Sequence, residues 1–530
     1  MTFPWHRRVA PLLTLAALGA GACQEETTAP VVEVPPPAER PALPPAYRAT
    51  GHAAAGDVFV HLFEWTWPDV ARECEEVLGP AGWWAVQVSP PQEHGVGITH
   101  PWHQRYQAVS YKLDSRSGSE AAFAEMVGRC RAAGVDVYVD AIVNHTAGSD
   151  GTGSAGTVYG KYAYPGLYTQ ADFHPPCTVS DYASAANVQD CELFGLADLN
   201  TGKADVRDKL AGYLVKLGRL GVAGFRIDAA KHIQPVELDS ILSLVNRAAA
   251  ADGRPLPYVF GEVIDYGGVE AVRAPDYYGL GYASGSGSDL TEFRFRATGE
   301  KFAGAGGQRL AELKDFPGAW GLMPSDKAVV FVQNHDTQRD AGSSVVDYDD
   351  GDRYRLANVW MLAQPYGYPK VLSGYALDLG RVGGRDTGPP SDAGGNTFPV
   401  SCPARMEEAV LGEWTCEHRD PSIAAMVRFR RATAGEPQEN WWDDGGGAIA
   451  FSRGARGLVA LNGGAAAATV DVATRLPPGS YCDALTGGAR DGGCAGRVVT
   501  VGEDGRVRLD LEPGRAVAIH VGLEEGREGA

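Results

Sequence analysis

Four acidic residues, Asp140, Asp228, Glu262 and Asp336, each close an apolar run that reads as a strand: VYVDAIVNH, GFRIDAAKH, VFGEV and FVQNHD. In GFRIDAAKH a period of two puts Arg226 and Asp228 on one face, and Phe225 and Ile227 on the other. The same period puts Val332, Asn334 and Asp336 together in FVQNHD. Unpaired charges do not stay in an ordinary core. Taken singly, each acid could be a solvated strand end or a helix cap, and the Arg–Asp couple a structural ion pair. Four carboxylates ending four strands have no use in packing. Facing one mouth, they would supply what glycoside hydrolysis needs: one nucleophile, one acid/base and helper groups.

The elements that must position them alternate between short apolar strands and helical patterns, which predicts a parallel β/α architecture. The strands expected are Asp57–Trp65, Trp83–Pro90, Val135–Val143, Val222–Asp228, Tyr258–Val263, Glu292–Phe295, Ala328–Asn334 and Lys370–Tyr375. Eight is the number that closes a (β/α)8 TIM barrel of α/β class, whose active sites lie at the C-terminal strand ends. Ser117 with Glu120 reads as a capping box, followed by Phe123, Met126, Val127 and Cys130 at helical spacing. Further helices are expected over 205–220 and 353–363. Residues 145–198 form a long insertion rich in Gly, Ser, Tyr and Asp, and loops of that length are usually functional. After residue 434 the pattern becomes alternating and turn-rich, an all-β sandwich domain. The expected organisation is therefore 1–23 signal, 24–51 Pro-rich tether, 52–144 with 199–434 barrel, 145–198 insertion and 435–522 β domain.

The 530 residues carry a formal net charge of -19, which disfavours nucleic acid and anionic membranes as partners and suits a neutral or cationic ligand. Nine cysteines are present with no CxxC zinc spacing; an even, spaced set of eight beyond Cys23 suggests disulfides and an oxidising compartment. His6, Arg7 and Arg8 precede an apolar run from Val9 to Ala22, a signal-like pattern too short to span a bilayer comfortably. It ends Ala20-Gly21-Ala22-Cys23, similar to a bacterial lipoprotein box with Ala three before the Cys. Lipidation at Cys23 is the expectation and plain signal cleavage the alternative, so membrane contact is expected only through that anchor. A monomer is the default.

GFRIDAAKH, GEVID, FVQNHD and DAIVNH resemble the four signature regions of α-amylases in glycoside hydrolase clan 13, and the chloride-dependent, animal-type branch most closely. HLFEW, VQVSPPQEH, RYQAVSYKL, MPSDKAVVFVQNHD and CEHRDPSIAAMVRFR extend the similarity over about residues 56–520. The resemblance implies a secreted, endo-acting, configuration-retaining enzyme cutting α-1,4-glucosidic bonds of starch, glycogen or maltodextrins. Asp228 would be the nucleophile, ionised beside Arg226, Glu262 the acid/base, and Asp336 the transition-state stabiliser. Trp102, Tyr106, Gln107, His145, Arg226, Lys231, His232 and His335 match its sugar-contacting positions. Asn144, Asp198 and the carbonyls of Gln189 and His232 match its Ca2+ ligands, hard oxygen donors at the root of the insertion. Arg226, Asn334 and Lys370 match its Cl- ligands. The implied disulfides are Cys74–Cys130 between barrel helices, Cys177–Cys191, Cys402–Cys416, and Cys482–Cys494 across a hairpin. Two departures stand out: His103 replaces a second Trp after Trp102, and DAGSSVVDYDD lacks the Gly-rich loop animal relatives carry after Arg339. The same triad would also serve an α-glucan transglycosylase, and a third reading is a glucan-binding surface protein on an inactive barrel.

Overall fold

The computed structural model describes residues 56–281, 288–340, 346–490 and 492–526. The signal-like run, Cys23, the tether, and residues 341–345 of the stretch after Arg339 lie outside the described residues. Eight strands close a barrel: β1 (Phe59–Leu62), β2 (Ala85–Val88), β3 (Asp136–Ala141), β4 (Gly224–Ile227), β5 (Tyr258–Gly261), β6 (Ser288–Thr291), β7 (Ala328–Val330) and β8 (Tyr368–Ser373). Each pairs in parallel with its sequence neighbours, and β8 returns to β1 with Phe59 opposite Lys370. The barrel floor is aromatic. Phe59 packs on Tyr138, Phe260 and Tyr368 at ring separations of 5.5, 5.5 and 4.8 Å. A packed floor of this kind makes the barrel a core rather than a pore.

The sixth strand is not where the pattern put it. Glu292–Phe295 turns into a 3-10 segment, Phe293–Arg296, and the strand is Ser288–Thr291. Phe293 and Phe295 alternate because they pack on Phe331 and Trp360, at 5.3 and 5.8 Å. The capping box is also displaced. The helix α2 (Glu120–Ala132), which follows α1 (Trp67–Glu73), starts at Ser119, whose hydroxyl accepts from the Ala122 N–H; Ser117 instead accepts from Arg105 at 2.8 Å. β7 ends at Val330, four residues short of its expected end. Asn334 Oδ1 accepts from the N–H groups of Asp336 and Thr337, so the chain turns there and Asp336 leaves the strand face.

Between β3 and β4 the insertion carries the short helix α3 (Ala185–Asp190) and little other regular structure before α4 (Ala204–Arg219). Helices α5 (Pro235–Ala251), α6 (Ala297–Ala303), α7 (Asp352–Ala363) and α8 (Pro421–Ala432) complete the barrel's coat. Eight further strands then form two four-stranded antiparallel sheets. β9 (Gln438–Asp443), β10 (Ala448–Arg453), β11 (Gly457–Asn462) and β16 (Arg515–His520) form one, and β12 (Ala468–Ala473), β13 (Gly479–Cys482), β14 (Val498–Val501) and β15 (Arg506–Leu511) the other. Their shared core includes Leu458, Val470, Val507 and Val517. All four implied disulfides are formed. Cys482–Cys494 does not cross one hairpin, however: it joins the end of β13 to the two-residue strand Gly493–Cys494, whose partner is Ala489–Arg490. Among the described residues no helix is long and apolar enough to cross a membrane.

Candidate active site

Arg226 is the centre of the site. Its Nη1 donates to Asp140 Oδ1 at 2.6 Å and to Asp228 Oδ1 at 2.8 Å, and its Nη2 lies 2.7 Å from Glu262 Oε1. One buried guanidinium therefore gathers carboxylates from the ends of three consecutive strands. Local backbone geometry completes the grouping. Ala229 takes φ 48°, a left-handed turn directly after Asp228, which directs its N–H to Glu262 Oε2 at 3.0 Å. Such a conformation is uncommon outside glycine, and strained positions of this kind cluster at functional sites.

Tyr106 bridges the site to β7. Its hydroxyl donates to Asp140 Oδ2 at 2.9 Å, which leaves the phenol oxygen to accept from His335 Nε2, also at 2.9 Å. His335 Nε2 lies 3.4 Å from Asp336 Oδ2. On the insertion side, His145 Nε2 must carry its proton, because it donates to the Tyr106 carbonyl at 3.0 Å; it stands 4.0 Å from Asp228 Oδ2. A cavity of about 820 Å³ opens above, walled by Asp228, Glu262 and Asp336 with Trp102, Tyr106, Gln107, His145, Lys231, His232 and His335. The structure thus brings together every sugar-contacting position expected from the sequence, with Arg226 beneath them. Lys231 is engaged: its ammonium donates to the Ile264 carbonyl at 2.6 Å and pairs with Glu270.

Electrostatically, the cleft floor crowds three carboxylates around one guanidinium. Burial pushes the Asp228 carboxyl well above the ordinary range, against the pull of Arg226, with Glu262 and Asp140 adding to the rise. The sequence expectation that Arg226 keeps Asp228 ionised is thus opposed by burial, which outweighs the guanidinium's pull. Desolvation within the cleft and the charge of Glu262 push the Asp336 carboxyl upward. Asp140 rises by burial too. Several acids facing one guanidinium retain a proton among them, and that proton belongs to the group. Burial lowers His145 to about 4 and holds His335 well below its usual value, so both rings are neutral hydrogen-bonding groups at neutral pH.

Two further positions bear on ions. Lys370 is buried in the barrel, 5.1 Å over the Phe331 ring, and burial with the repulsion of Arg226 brings its ammonium down to about 7. Those same two cations, after burial, hold His61 well below its usual value, and both His61 ring nitrogens are buried without a hydrogen-bond partner. The mutual repulsion of Lys370 and Arg226 is the feature of this structure that suits a small anion at the positions the sequence suggested. At the root of the insertion, Asp198 Oδ1 is buried without a partner while Oδ2 accepts from His174 Nδ1 at 2.7 Å. Burial raises Asp198 to about 7. His145 and Asp198 form a backbone bridge that brings Asn144 alongside, and His232 Nδ1 donates to the Val188 carbonyl at 2.8 Å, which sets the 189 and 232 segments side by side. An orphaned carboxylate oxygen among amide and carbonyl donors suits a hard cation such as Ca2+.

Sequence reasoning missed two residues that brace the mouth. Arg339 donates to the Arg385 carbonyl at 3.1 Å, the Tyr375 hydroxyl at 2.7 Å and the His335 carbonyl, and its guanidinium lies 4.6 Å over Trp102. Phe63 stacks on His335 at 4.9 Å and on Tyr375 at 5.9 Å. Phe63 lies inside the HLFEW run, the one local signal available.

A family model of the α-amylase catalytic domain matches residues 88–248, and one of the α-amylase C-terminal all-β domain matches residues 440–522. An α-amylase of Tribolium castaneum is 43% identical over 483 residues, covering 88% of this chain and 95% of that protein. One of Oryzias latipes is 40% identical over 489 residues, covering 87% and 94%. Crystal structures of α-amylase I from Eisenia fetida, as the wild type and as a variant complexed with maltohexaose, align with a TM-score of 0.80 at 38% identity, covering 92% of this chain and 99% of theirs. With this likeness running through barrel and β domain alike, the chain belongs to the α-amylase family and is a glycoside hydrolase.

Proposed function

We propose that the chain is an endo-acting, retaining α-amylase that hydrolyses internal α-1,4-glucosidic bonds of starch, glycogen and maltodextrins through a covalent glycosyl-enzyme intermediate. The observation that carries this is the sharing of Arg226 by Asp228 and Glu262 at the base of an open cleft. A retaining pair needs its carboxyls close, about 5–5.5 Å apart, and the sharing of one guanidinium by Asp228 and Glu262 supports that reading. Asp228 attacks the anomeric carbon while Glu262 gives a proton to the departing glycosidic oxygen. Water then enters, Glu262 takes its proton, and the ester to Asp228 breaks with a second inversion. Asp336, with 40% of its side chain open to the cleft, holds sugar hydroxyls and stabilises positive charge on the ring. Neutral His145 and His335 and the Tyr106 platform orient the sugar at the point of cleavage.

Arg226, Asn334 and Lys370 would hold Cl-, which would take up positive charge that otherwise goes to Glu262 Oε1. Asn144, Asp198 and the Gln189 and His232 carbonyls would hold Ca2+, fixing the insertion that forms one wall. The signal-like N-terminus supports an extracytoplasmic location, with a lipid anchor at Cys23.

Asp228→Asn tests the chemistry. Starch turnover should fall by at least about 10³-fold, the scale of losing a covalent nucleophile, and the wild type should release products of α configuration by NMR. Full activity in the variant, or β products, would remove the mechanism. Maltoheptaose converted chiefly to longer chains would point to a transglycosylase instead.

A further inference from the structure

Phe194 sits in the insertion, in the turn Leu193–Gly195, with 91% of its surface exposed. A single exposed apolar residue is ordinary. Its backbone is not: Phe194 has φ 53° and ψ 24°, the left-handed region that bulky residues avoid at a cost of about 1–2 kcal/mol. Glycine would adopt this turn freely, and one follows at Gly195 with φ 77°. The fold therefore tolerates strain that a smaller residue would remove, to present a ring to water. That ring lines the cavity holding Asp228, Glu262 and Asp336.

The base of the turn is rigid. Cys177–Cys191 closes just before it, the Leu196 N–H donates to the Leu193 carbonyl at 3.0 Å, and the Thr146 N–H donates to the Ala197 carbonyl at 2.9 Å. Rigid presentation reduces the ordering cost of binding. Tyr182 and Tyr266, 42% and 51% exposed, add partly open rings to the same cavity. Beside Trp102, with ring centres 5.9 Å apart, His103 offers only an imidazole in place of the second Trp. A sugar ring presents an apolar C–H face that aromatic faces cover well.

We infer that Phe194 is a substrate-binding residue, stacking on a glucosyl unit of the α-glucan and restoring from the insertion the aromatic surface that His103 lacks. This rests on the glucan reading of the cleft. The two can fail separately, because this one is read as binding. In a Glu262→Gln background, calorimetric titration with maltohexaose should show Kd raised about tenfold by Phe194→Ala, the scale of losing most of one ring's contact. Phe194→Tyr should restore Kd to within about twofold, and Phe194→Leu should not. Phe194→Gly should weaken binding as much as Ala while Tm holds or rises, since the turn's strain is relieved.

A Kd unchanged within twofold in Ala and Gly overturns the inference, as does Leu restoring binding as fully as Tyr. A Gly variant that loses Tm while keeping its affinity would make Phe194 a structural residue. Absence of starch cleavage by the wild type would instead sink the amylase reading.

Discussion

Lys370 would make the proposed chloride requirement depend on pH. Its ammonium is lowered to about 7 by burial and by Arg226, so at neutral pH it is only part protonated without an anion. An anion binds the charged form. Below about pH 7 that form is already present; above it, binding must draw a proton from solvent. The half-saturating chloride concentration for starch hydrolysis should therefore be flat below pH 7 and rise about tenfold per pH unit above it. In Lys370→Arg the rise should vanish, because a guanidinium keeps its proton. Activity indifferent to chloride at both pH 6 and pH 9 would rule out the site. The motif GFRIDAAKH was legible because its chemistry is local, two side chains on one strand face. The charge state of Asp228 was not, because it depends first on burial and then on Glu262 and Asp140, which reach the same guanidinium from neighbouring strands.

The insertion owes its placement to few regular hydrogen bonds and to what gathers at its root. Asp198 Oδ1 is buried without a partner there, a costly arrangement unless a cation completes it. Dialysis against a chelator should lower Tm by several degrees and open residues 145–198 to protease, with Ca2+ restoring both. Asp198→Asn should lower the Ca2+ affinity by at least about tenfold with kcat at saturating Ca2+ largely kept. A chelated protein with unchanged Tm and protease pattern would argue that hydrogen bonds alone hold the insertion. Seven of the eight strands could be read from their apolar runs. Ser288–Thr291 could not, because SDLT carries no such run; its place is fixed by pairing with β5 on one side and β7 on the other, and buried Asp289 accepts from the Tyr258 hydroxyl at 2.9 Å. The roles of Arg339 and Phe63 were hidden for a related reason: their partners lie on other loops of the mouth.

The barrel is fastened where α1 meets α8. Glu73, at the end of α1, accepts from Arg419 Nε at 2.7 Å and hydrogen-bonds to His418 Nε2 at 2.7 Å, just before α8. His418 Nδ1 in turn reaches Ser373 Oγ, on β8, at 2.9 Å. Arg431, on α8, pairs with Asp57 at 2.7 Å ahead of β1. The first and eighth strands are thus held together from outside as well as by their own ladder. Burial alone would raise the Glu73 carboxyl, but hydrogen bonds from Arg419 and His418 bring it down to about 2. Since the folded value lies below the unfolded one, the carboxylate's contribution is complete above about pH 4.5 and is lost as pH falls toward 2. The shift corresponds to about 3 kcal/mol. Glu73→Gln should therefore lower unfolding free energy at pH 7, where the lost charge leaves Arg419 and His418 poorly matched, and the gap to wild type should narrow steadily between pH 4.5 and 2.5. Urea titrations of both proteins at pH 7, 4 and 3 measure it. A gap that stays constant across that range would show that packing around α1, rather than the buried carboxylate, holds the two ends of the barrel together.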